Sequence, residues 1–424
     1  MSFQTGLSGL NAASRNLDVI GHNIANVNTI GMKASRSEFS ALVSSALGSA
    51  TAGGSGIGVE LAAVAQQFTQ GNISTTGNNL DVAINGSGFF QLTMNDGSMG
   101  YTRDGSFKLD KDGYIRTNTG SNLMGYPTDK DGNATSVSIQ KLQLPTSAPI
   151  AASATTTIEA EFNLDARALG PADTLAAGDP PVLRSTYGTS LNVYDAQGVA
   201  TDVTFYFVKT DTDNEWEVYD SLGSTTPVAT LTFDDSGDLT TPTDTITTGP
   251  NTGKFGVTLA TPTAFSSNNP NDTDGFLDGP LDIVFEGATQ YGTSFAVSNL
   301  TQDGYTAGEL VGLNIGEDGV ITARYSNGEA QTAGQIALAD FRNIQGLSPL
   351  GGNAWASTSE SGLPVQGQPG DGKFGILRAG ALEESNVDLT AELVNMMTAQ
   401  RAYQANAQTI KTQDQIMSTL VNLR

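Results

Sequence analysis

The sequence contains no cysteine and only one histidine, His22, in 424 residues. The absence of cysteine excludes disulfide bridges and thiolate metal sites. One histidine cannot form a two-histidine zinc motif, and His22 lies in a predicted helix beside Gly21, so no Ser–His–Asp triad is proposed. The glycine-rich stretch near residue 55 lacks the lysine of a phosphate-binding loop. We therefore predict that the protein is not an enzyme and has no catalytic, cofactor-binding or metal-binding residues.

Basic residues are also scarce, since 20 Lys and Arg are set against 44 Asp and Glu, for a formal net charge of −24. This balance argues against binding to nucleic acid or to an anionic membrane surface. No apolar run approaches the length of a membrane span. The first residues, "MSFQTGLSGL", have no basic segment and no continuous apolar core, so no cleaved secretory signal peptide is predicted.

Closely spaced aspartates are the remaining candidates for a binding site. "DTDNEWE" at 211–217 and "DDSGD" at 234–238 resemble fragments of calcium-binding loops. Neither has the twelve-residue ligand pattern that ends in glutamate. Asp–Gly at the tip of a hairpin explains such stretches more simply.

The two ends of the chain show helical periodicity. A first helix is predicted from Ser2 to Asn28, and its apolar residues recur at steps of three and four. The last segment opens with Ser385–Asp388, which fits a capping box, and predicts a helix of about 36 residues, or about 54 Å. The apolar stripe of the first helix comprises Leu7, Leu10, Leu17, Ile20, Ile24 and Val27. The stripe of the last helix comprises Leu389, Leu393, Met396, Tyr403, Ile410, Met417 and Val421.

An exposed apolar stripe gains nothing in water, so each terminal helix implies a helical partner. The simplest partner is the other end of the same chain. A pair of helices has little core, and further apolar residues remain on the outer faces. The two stripes therefore favour the packing of many copies of the chain.

The region between the helices changes to a period of two. Asn85–Gly86, Asp112–Gly113 and Asn327–Gly328 are typical of hairpin turns. The glycine-rich stretch Gly48–Val59 predicts a loop. Residues 151–300 hold 21 acidic and 4 basic residues, which marks them as a separate acidic domain.

The predicted fold is α+β and multidomain, with a terminal α-helical coiled-coil pair and two nested all-β domains. Residues 1–30 with 384–424 form the helical inner core, and 31–70 with 364–383 connect it to the rest. Residues 71–145 with 287–363 form a middle β domain. Residues 146–286 form an outer acidic β domain.

Three long segments of the chain resemble the bacterial flagellar rod and hook proteins. The first is "GLSGLNAASRNLDVIGHNIANVNTIGMKASRSEF", which contains the recurring "NIAN" and "T.G.K" core. The second is "LDVAINGSGFFQL" followed by "YTRDGSFKLDKDGYIRTNTGSNLMGYP", and the third is "ALEESNVDLTAELVNMMTAQRAYQANAQTIKTQDQIMSTLVNL". Met32 departs from the family, which often has Phe there. The large acidic insert and "FRNIQGLSPLGGNAWASTSESGLP" resemble the hook proteins rather than the shorter distal rod proteins.

The resemblance implies a structural subunit that assembles with copies of itself into the hook, a flexible curved tube that transmits torque from rod to filament. It implies that the terminal helices form the innermost tube, the first β domain a middle shell and the insert an outer shell. The implied partners are the rod below, the hook–filament junction proteins and the hook cap above, and the flagellar type III export apparatus. The implied location is the hook, outside the cell after export through the flagellar channel.

Export substrates of this kind carry a Phe followed four residues later by an apolar residue, and Phe39 and Val43 fit that element. Two other functions are compatible with the sequence: a distal rod or hook-associated protein of the same family, and a secreted β-rich adhesin or enzyme. The first would form straight polymers, whereas the second would be a stable monomer.

Overall fold

The computed structural model describes residues 2–43, 56–129, 132–144, 149–170, 186–222, 226–241, 246, 251, 254–259 and 281–422. The chain divides into two compact units. Unit 1 comprises Met1–Ser147, Val311–Arg324 and Ala330–Arg424, and unit 2 comprises Ala148–Leu310 and Tyr325–Glu329. Within the described residues, no helix has the length and apolarity that crossing a membrane requires.

Both predicted terminal helices are present, and both belong to unit 1. Helix α1 spans Ser2–Ala25 and helix α2 spans Leu389–Asn422. Helix α1 ends before the predicted Asn28, because the chain turns where the Asn26 amide donates to the carbonyls of His22 and Asn23. Within the capping box predicted at Ser385–Asp388, the side chain that caps α2 is that of Asp388. Asp388 Oδ1 accepts from the amides of Thr390 at 2.8 Å and Ala391 at 3.2 Å, which satisfies two free N–H groups of α2.

A two-stranded hairpin follows α1, where the sequence predicted only a connecting region. Strand β1 spans Ser35–Val43 and pairs antiparallel with β2, Gly56–Gln66. The predicted loop Gly48–Val59 therefore differs from the structure from residue 56 onward, and its residues 48–55 lie outside the described part. The hairpin contacts α1, which explains how a two-stranded ribbon is supported.

The rest of unit 1 is a thirteen-stranded sheet with two short ribbons. The first strands are β3 Ile73–Thr75, β4 Val82–Asn85, β5 Phe89–Thr93, β6 Met99–Thr102, β7 Phe107–Leu109, β8 Ile115–Thr117, β9 Asn122–Tyr126 and β10 Gln140–Lys141. The later strands are β21 Leu310–Ile315, β22 Val320–Tyr325, β23 Ala330–Ile336, β24 Leu338–Asp340, β25 Ser348–Gly351, β26 Ala354–Ala356, β27 Val365–Gly367, β28 Ile376–Ala379 and β29 Ala381–Glu383. The central path of the sheet runs β21-β22-β23-β9-β5-β6-β26-β25, and β7, β8, β10, β24 and β27 pair beside this path. A short 3-10 helix lies at Ile344–Gly346.

The pairing of these strands tests the predicted turns. The hairpins at Asp112–Gly113 and Asn327–Gly328 are confirmed, as β7–β8 and β22–β23. The prediction of a hairpin at Asn85–Gly86 is wrong, because β4 pairs with β28 and not with β5. The predicted connecting region 364–383 holds β27, β28 and β29, whose partners are β24, β4 and β3.

Unit 2 consists of two five-stranded sheets around one apolar core. The strands are β11 Thr157–Asp165, β12 Tyr187–Tyr194, β13 Ala200–Lys209, β14 Glu215–Tyr219, β15 Ala229–Phe233, β16 Leu239–Thr241, β17 Gly256–Leu259, β18 Leu281–Val284, β19 Thr289–Tyr291 and β20 Ala296–Gln302. One sheet has the order β17-β18-β11-β19 with β20 paired to β11, and the other runs β12-β13-β14-β15-β16. Alternate residues of both sheets are buried together, among them Phe162, Phe207 and Trp216.

Unit 2 extends farther along the chain than the acidic domain predicted at 146–286. Strand β19 pairs with β11 in parallel and β20 pairs with β11 antiparallel, so residues 287–310 complete the same sheet. The acidic block at 151–300 covers most of this unit, whereas the predicted boundary at 286 excluded β19 and β20, which carry no acidic residue.

Candidate self-assembly surface and helix–body junction

The terminal helices contact each other through small residues on α1. A Cβ atom added at Gly6 would lie 3.3 Å from Ile410 Cγ1, and one at Gly9 would lie 2.9 Å from Asn406 Nδ2. Both glycines therefore allow a close approach of the α1 backbone to α2 that a side chain would oppose. The buried residues of α1 recur at helical spacing along the helix: Gly6, Ala13, Ile20 and Asn23.

Most residues of the apolar stripe predicted on α1 lie beside the contact that Gly6 and Gly9 make with α2, rather than in it. Leu7 is exposed, whereas Ile20 is the buried member of the stripe. Val27 is half-buried and follows the end of α1, in a turn where its amide donates to the Ile24 carbonyl. The remaining stripe residues, Leu10, Leu17 and Ile24, are half-buried.

The stripe predicted on α2 is largely uncovered. Leu389, Leu393, Tyr403 and Met417 are 43%, 46%, 37% and 55% exposed. Met396 and Ile410 are half-buried, and the side chain of Val421 lies outside the described part. Among the described residues of α2, Ala399 is the buried one, so α2 turns small and polar positions such as Ala399 and Asn406 inward. The single chain therefore leaves an apolar face of α2 in contact with solvent.

The predicted export element lies on β1. Phe39 pairs with Leu61 of β2 and its side chain is exposed. Val43 ends the strand opposite Gly56, and its side chain lies outside the described part. The two residues thus lie on the same strand of the hairpin.

A buried ion cluster connects both chain ends to the sheet of unit 1, and sequence reasoning missed it. Glu383 is fully buried at the end of β29, and its Oε1 accepts from Lys33 Nζ at 2.6 Å and from the Gly71 amide at 2.9 Å. Its Oε2 accepts from Arg103 Nη1 at 3.0 Å. Its backbone carbonyl accepts from the Gly31 amide at 2.8 Å. Glu383, which lies six residues before the start of α2 at Leu389, thereby binds the segment that leaves α1.

The two cations of this cluster have further acceptors. Lys33 Nζ donates to the Thr69 carbonyl at 2.8 Å, and Arg103 Nη2 donates to the Gly86 carbonyl at 2.8 Å. Burial lowers the pKa of the Lys33 ammonium below its usual value, and the attraction of Glu383 opposes this only in part. Burial lowers the pKa of Arg103 in the same way. The charges are retained because each has a hydrogen-bonded partner.

Two asparagines fix the backbone next to the cluster. Asn23, in the last turn of α1, accepts from the Ser35 amide at 2.9 Å and donates to the Ser35 carbonyl at 2.8 Å and to Glu392 at 3.1 Å. Asn386 accepts from the Ala34 amide at 2.7 Å and donates to the Gln67 carbonyl at 2.7 Å. Each carboxamide binds backbone groups of the segment at residues 34–35, as a neighbouring peptide group would. We call residues 23–35 and 381–388 with Arg103 the helix–body junction.

A third asparagine joins the junction from the body. Asn353 has φ +58°, a left-handed conformation that asparagine tolerates better than most residues. Its Nδ2 donates to the Ile30 carbonyl at 2.7 Å, and its own carbonyl accepts from Thr102 Oγ1 at 2.7 Å. The unusual backbone conformation thus serves to hold the chain just after α1.

Sequence reasoning had one usable signal for the junction. Lys33, Arg103 and Glu383 each lie in a segment that carries the family resemblance, yet no spacing rule links residues so far apart. The histidine that the sequence singled out is exposed, and Asn26 Nδ2 lies 3.3 Å from its Nδ1 at the end of α1. Within the described residues, no group of three or more His, Asp and Glu could hold a metal ion.

Comparison with known families places these segments in context. Residues 3–33 match the flagella basal body rod protein model, and 83–158 match the flagellar hook protein FlgE/F/G D1 domain. Residues 163–305 match the flagellar basal body protein FlaE D2 domain, and 378–423 match the flagellar basal body rod FlgEFG protein C-terminal model. The four matches thus include both terminal helices, the strands β5–β10 of the sheet of unit 1 and most of unit 2.

Full-length relatives agree with these matches. The flagellar hook protein FlgE of Salmonella typhimurium is 43% identical over 100% of both chains, and that of Escherichia coli K12 is 41% identical with the same coverage. The protein of Treponema pallidum is 34% identical over 100% of this chain and 99% of its own. The crystal structure of Helicobacter pylori FlgE2 covers 73% of this chain with a TM-score of 0.50 at 16% identity, a likeness of fold. The chain therefore belongs to the flagellar hook protein family and is a structural subunit of the hook.

Proposed function

We propose that the chain assembles with copies of itself through its terminal helices and forms a flexible curved tube that transmits torque from rod to filament. The observation that carries the proposal is the apolar face of α2, where Leu389, Leu393 and Met417 are exposed in the single chain. Full burial of an exposed side chain of this kind gains about 1.5–3 kcal/mol, and because these three are about half exposed, each gains roughly half of that when a partner covers it. A helix with an uncovered apolar face implies a partner in the working state.

The geometry of α1 supports other copies as the partner. Helix α1 contacts α2 at Gly6 and Gly9, next to Ile410 and Asn406, and leaves other apolar residues of α2, such as Leu393 and Met417, exposed. Coiled-coil pairing of the two helices within one chain would therefore account for only part of the stripe. Neighbouring copies, whose own α2 presents the same residues, supply the remaining apolar surface.

The predicted domain scheme remains part of this proposal. We assign the terminal helices to an inner tube, the sheet of unit 1 to a middle shell and unit 2 to an outer shell, as in the family that the chain resembles. The acidic composition of residues 151–300 supports an outer position, because like charges discourage non-specific association.

The proposed partners and location follow from family membership. We assign the rod, the hook–filament junction proteins and the hook cap as neighbours, and the flagellar type III apparatus as the route out of the cell. Phe39 and Val43 remain the proposed export element. We propose no catalytic activity, since the single histidine, His22, is an exposed residue at a helix end.

Sedimentation and electron microscopy of the purified chain test assembly. We expect concentration-dependent polymers that appear as curved tubes. Straight tubes would indicate a rod-like or hook-associated subunit, and a stable monomer with ligand binding or turnover would indicate an adhesin or enzyme. Either outcome would contradict the proposal.

Substitutions in α2 test which surface is used. Leu393→Asp places a charge on the exposed apolar face, and we expect the critical concentration for assembly to rise at least tenfold, or by about 1.4 kcal/mol. Leu393→Asn removes the apolar contact without adding charge and should show a smaller rise. Asn395→Asp adds the same charge at an exposed position two residues on and serves as the control. Normal assembly of Leu393→Asp would rule out this face of α2.

A further inference from the structure

We propose that Glu383 is a positioning residue for self-assembly, because it fixes where both terminal helices leave the body of unit 1. This inference rests on the proposed function. The groups that bind Glu383 belong to Lys33, Arg103, Gly71 and Gly31, and all four lie outside α1 and α2. Glu383 therefore acts on the assembly surface through the backbone and not by contact with a neighbouring copy.

The position of Glu383 in the chain gives it this role. Lys33 and Gly31 belong to the segment between α1 and β1, and Glu383 ends β29 shortly before α2 begins at Leu389. Arg103 follows β6 in the sheet of unit 1. A single carboxylate thus joins the exit of α1, the entry of α2 and the body.

The contacts of the Glu383 carboxylate are directional, and both of its oxygens accept hydrogen bonds. Three donors from three separate segments point at the two carboxylate oxygens, and the side chain of Glu383 is fully buried. Charge-assisted hydrogen bonds are short and depend strongly on orientation. Rotating or shifting the α1 exit would break the bonds to Lys33 and to the Gly31 amide together.

The backbone around the cluster leaves no room for adjustment. Gly31 has φ +68°, and a Cβ there would lie 2.6 Å from the backbone nitrogen of Asp104. A Cβ at Gly71 would collide with the carbonyl oxygen of Glu384. Both amides that bind Glu383 therefore come from positions where only glycine fits. The junction is a tightly packed joint and not a flexible connection.

Energetics separates a positioning role from a purely stabilising one. Desolvation makes buried ion clusters poor contributors to net stability, and replacing a whole cluster by apolar residues is often neutral or favourable. If the cluster only stabilised unit 1, an apolar replacement would preserve both the fold and the assembly. If the cluster sets the directions of α1 and α2, the apolar replacement preserves the fold of unit 1 but alters those directions and the assembly.

The test is the triple variant Lys33→Met, Arg103→Met and Glu383→Met in the full chain. We expect the unfolding transition reported by Trp355 fluorescence to remain within a few degrees of the parent chain. We expect the critical concentration for assembly to rise at least tenfold, or the polymers to show an altered subunit repeat in electron micrographs. A triple variant that assembles at the parent concentration with the parent repeat overturns the inference.

A second variant covers the case in which the triple variant fails to fold. Glu383→Gln keeps the shape of the side chain but turns one acceptor into a donor that faces Lys33 or Arg103. We expect it to fold and to assemble with a changed or broadened subunit repeat, and an unchanged repeat would overturn the inference. Glu159→Gln, at the exposed ion pair with Lys254, is the matched control and should assemble normally. If the parent chain itself does not polymerise, the proposed function fails, independently of Glu383.

Discussion

Asn23 binds both backbone polar groups of Ser35, accepting from the amide nitrogen at 2.9 Å and donating to the carbonyl oxygen at 2.8 Å. A strand partner would make the same two bonds, so a side chain at the end of α1 takes the place of a neighbouring strand. The same Asn23 Nδ2 lies 3.1 Å from Glu392 Oε1 in α2. One buried carboxamide therefore sets α1, β1 and α2 relative to one another.

Asn23→Asp should disturb this arrangement more than Asn23→Ala at neutral pH. The carboxylate can accept from Ser35 but cannot donate, and it adds a second negative charge beside Glu392. The Ser35 carbonyl loses its partner, at a cost of about 1–3 kcal/mol. The assembly and the thermal stability of Asn23→Asp should recover in part as the pH falls toward about 4, because carboxyls protonate there. Identical behaviour of the two variants at all pH values would contradict the arrangement.

Gly9→Val should weaken assembly, because a side chain at Gly9 meets Asn406 of α2 at 2.9 Å. Separating the two helices by the width of a side chain would move the apolar face of α2 relative to the body. Gly21→Val is the matched control, since a Cβ there has no neighbour within 4 Å. We expect a critical concentration at least tenfold higher for Gly9→Val than for Gly21→Val. Equal effects would show that the close approach at Gly9 is not needed.

Leu231→Ala should destabilise unit 2 and leave unit 1 unchanged. Leu231 is fully buried in the core of unit 2, and such truncations cost about 2–5 kcal/mol. The two tryptophans report on the two units separately, because Trp216 lies in unit 2 and Trp355 in unit 1. In single-tryptophan variants, the unfolding transition reported by Trp216 should move to a lower urea concentration. The transition reported by Trp355 should not move. Leu338→Ala, in the core of unit 1, should give the opposite pattern.

Unit 1 should lose stability above about pH 10, where tyrosines ionise in the unfolded chain. Burial raises the pKa of Tyr101 and Tyr126, so both stay neutral in the folded state. The unfolded chain then binds fewer protons, and the free energy of unfolding falls by about 1.4 kcal/mol per pH unit for each such tyrosine. Tyr126→Phe should reduce this slope in urea titrations followed by Trp355. An unchanged slope would contradict the assignment to Tyr126.

The terminal helices should exchange their amide hydrogens rapidly in the dilute chain and slowly in the polymer. Most of α2 is exposed, and helices of this kind depend on packing for their stability. Hydrogen exchange measured by residue should show protection in the sheets of both units under either condition. Full protection of α1 and α2 in the dilute chain would show that neighbouring copies are not needed to order them.

Local patterns in the sequence were sufficient for the helices and for two hairpins. The turns at Asp112–Gly113 and Asn327–Gly328 join strands that pair with each other, so the signal and the structure are both local. Asn85–Gly86 carries the same signal, yet β4 before it pairs with β28. A turn motif states that the chain bends but not which strand comes to lie beside it. Long-range pairing of this kind cannot be deduced from spacing.

The residues of the candidate site were likewise predictable only where the signal is local. Heptad spacing identified the apolar residues that α2 exposes, such as Leu393 and Met417, and predicted that they contact the other terminal helix first and neighbouring copies next. The actual contact uses Gly6 and Gly9, and a search for apolar residues overlooks small ones. The junction escaped prediction because each ionic partner is unremarkable in its own segment. Only the fold brings Lys33, Arg103 and Glu383 together.

The separation of Lys33 and Glu383 along the chain also bears on the order of folding. The two residues are 350 positions apart, so their ion pair closes a loop that contains most of the protein. Contacts of such long range form slowly, since the entropy of closing the loop must be overcome before the contact is made. The hairpins and the core of unit 2 can form while the ends remain free, so we expect the junction to close last. The directions of the two helices would then be fixed only after nearly the whole chain has folded.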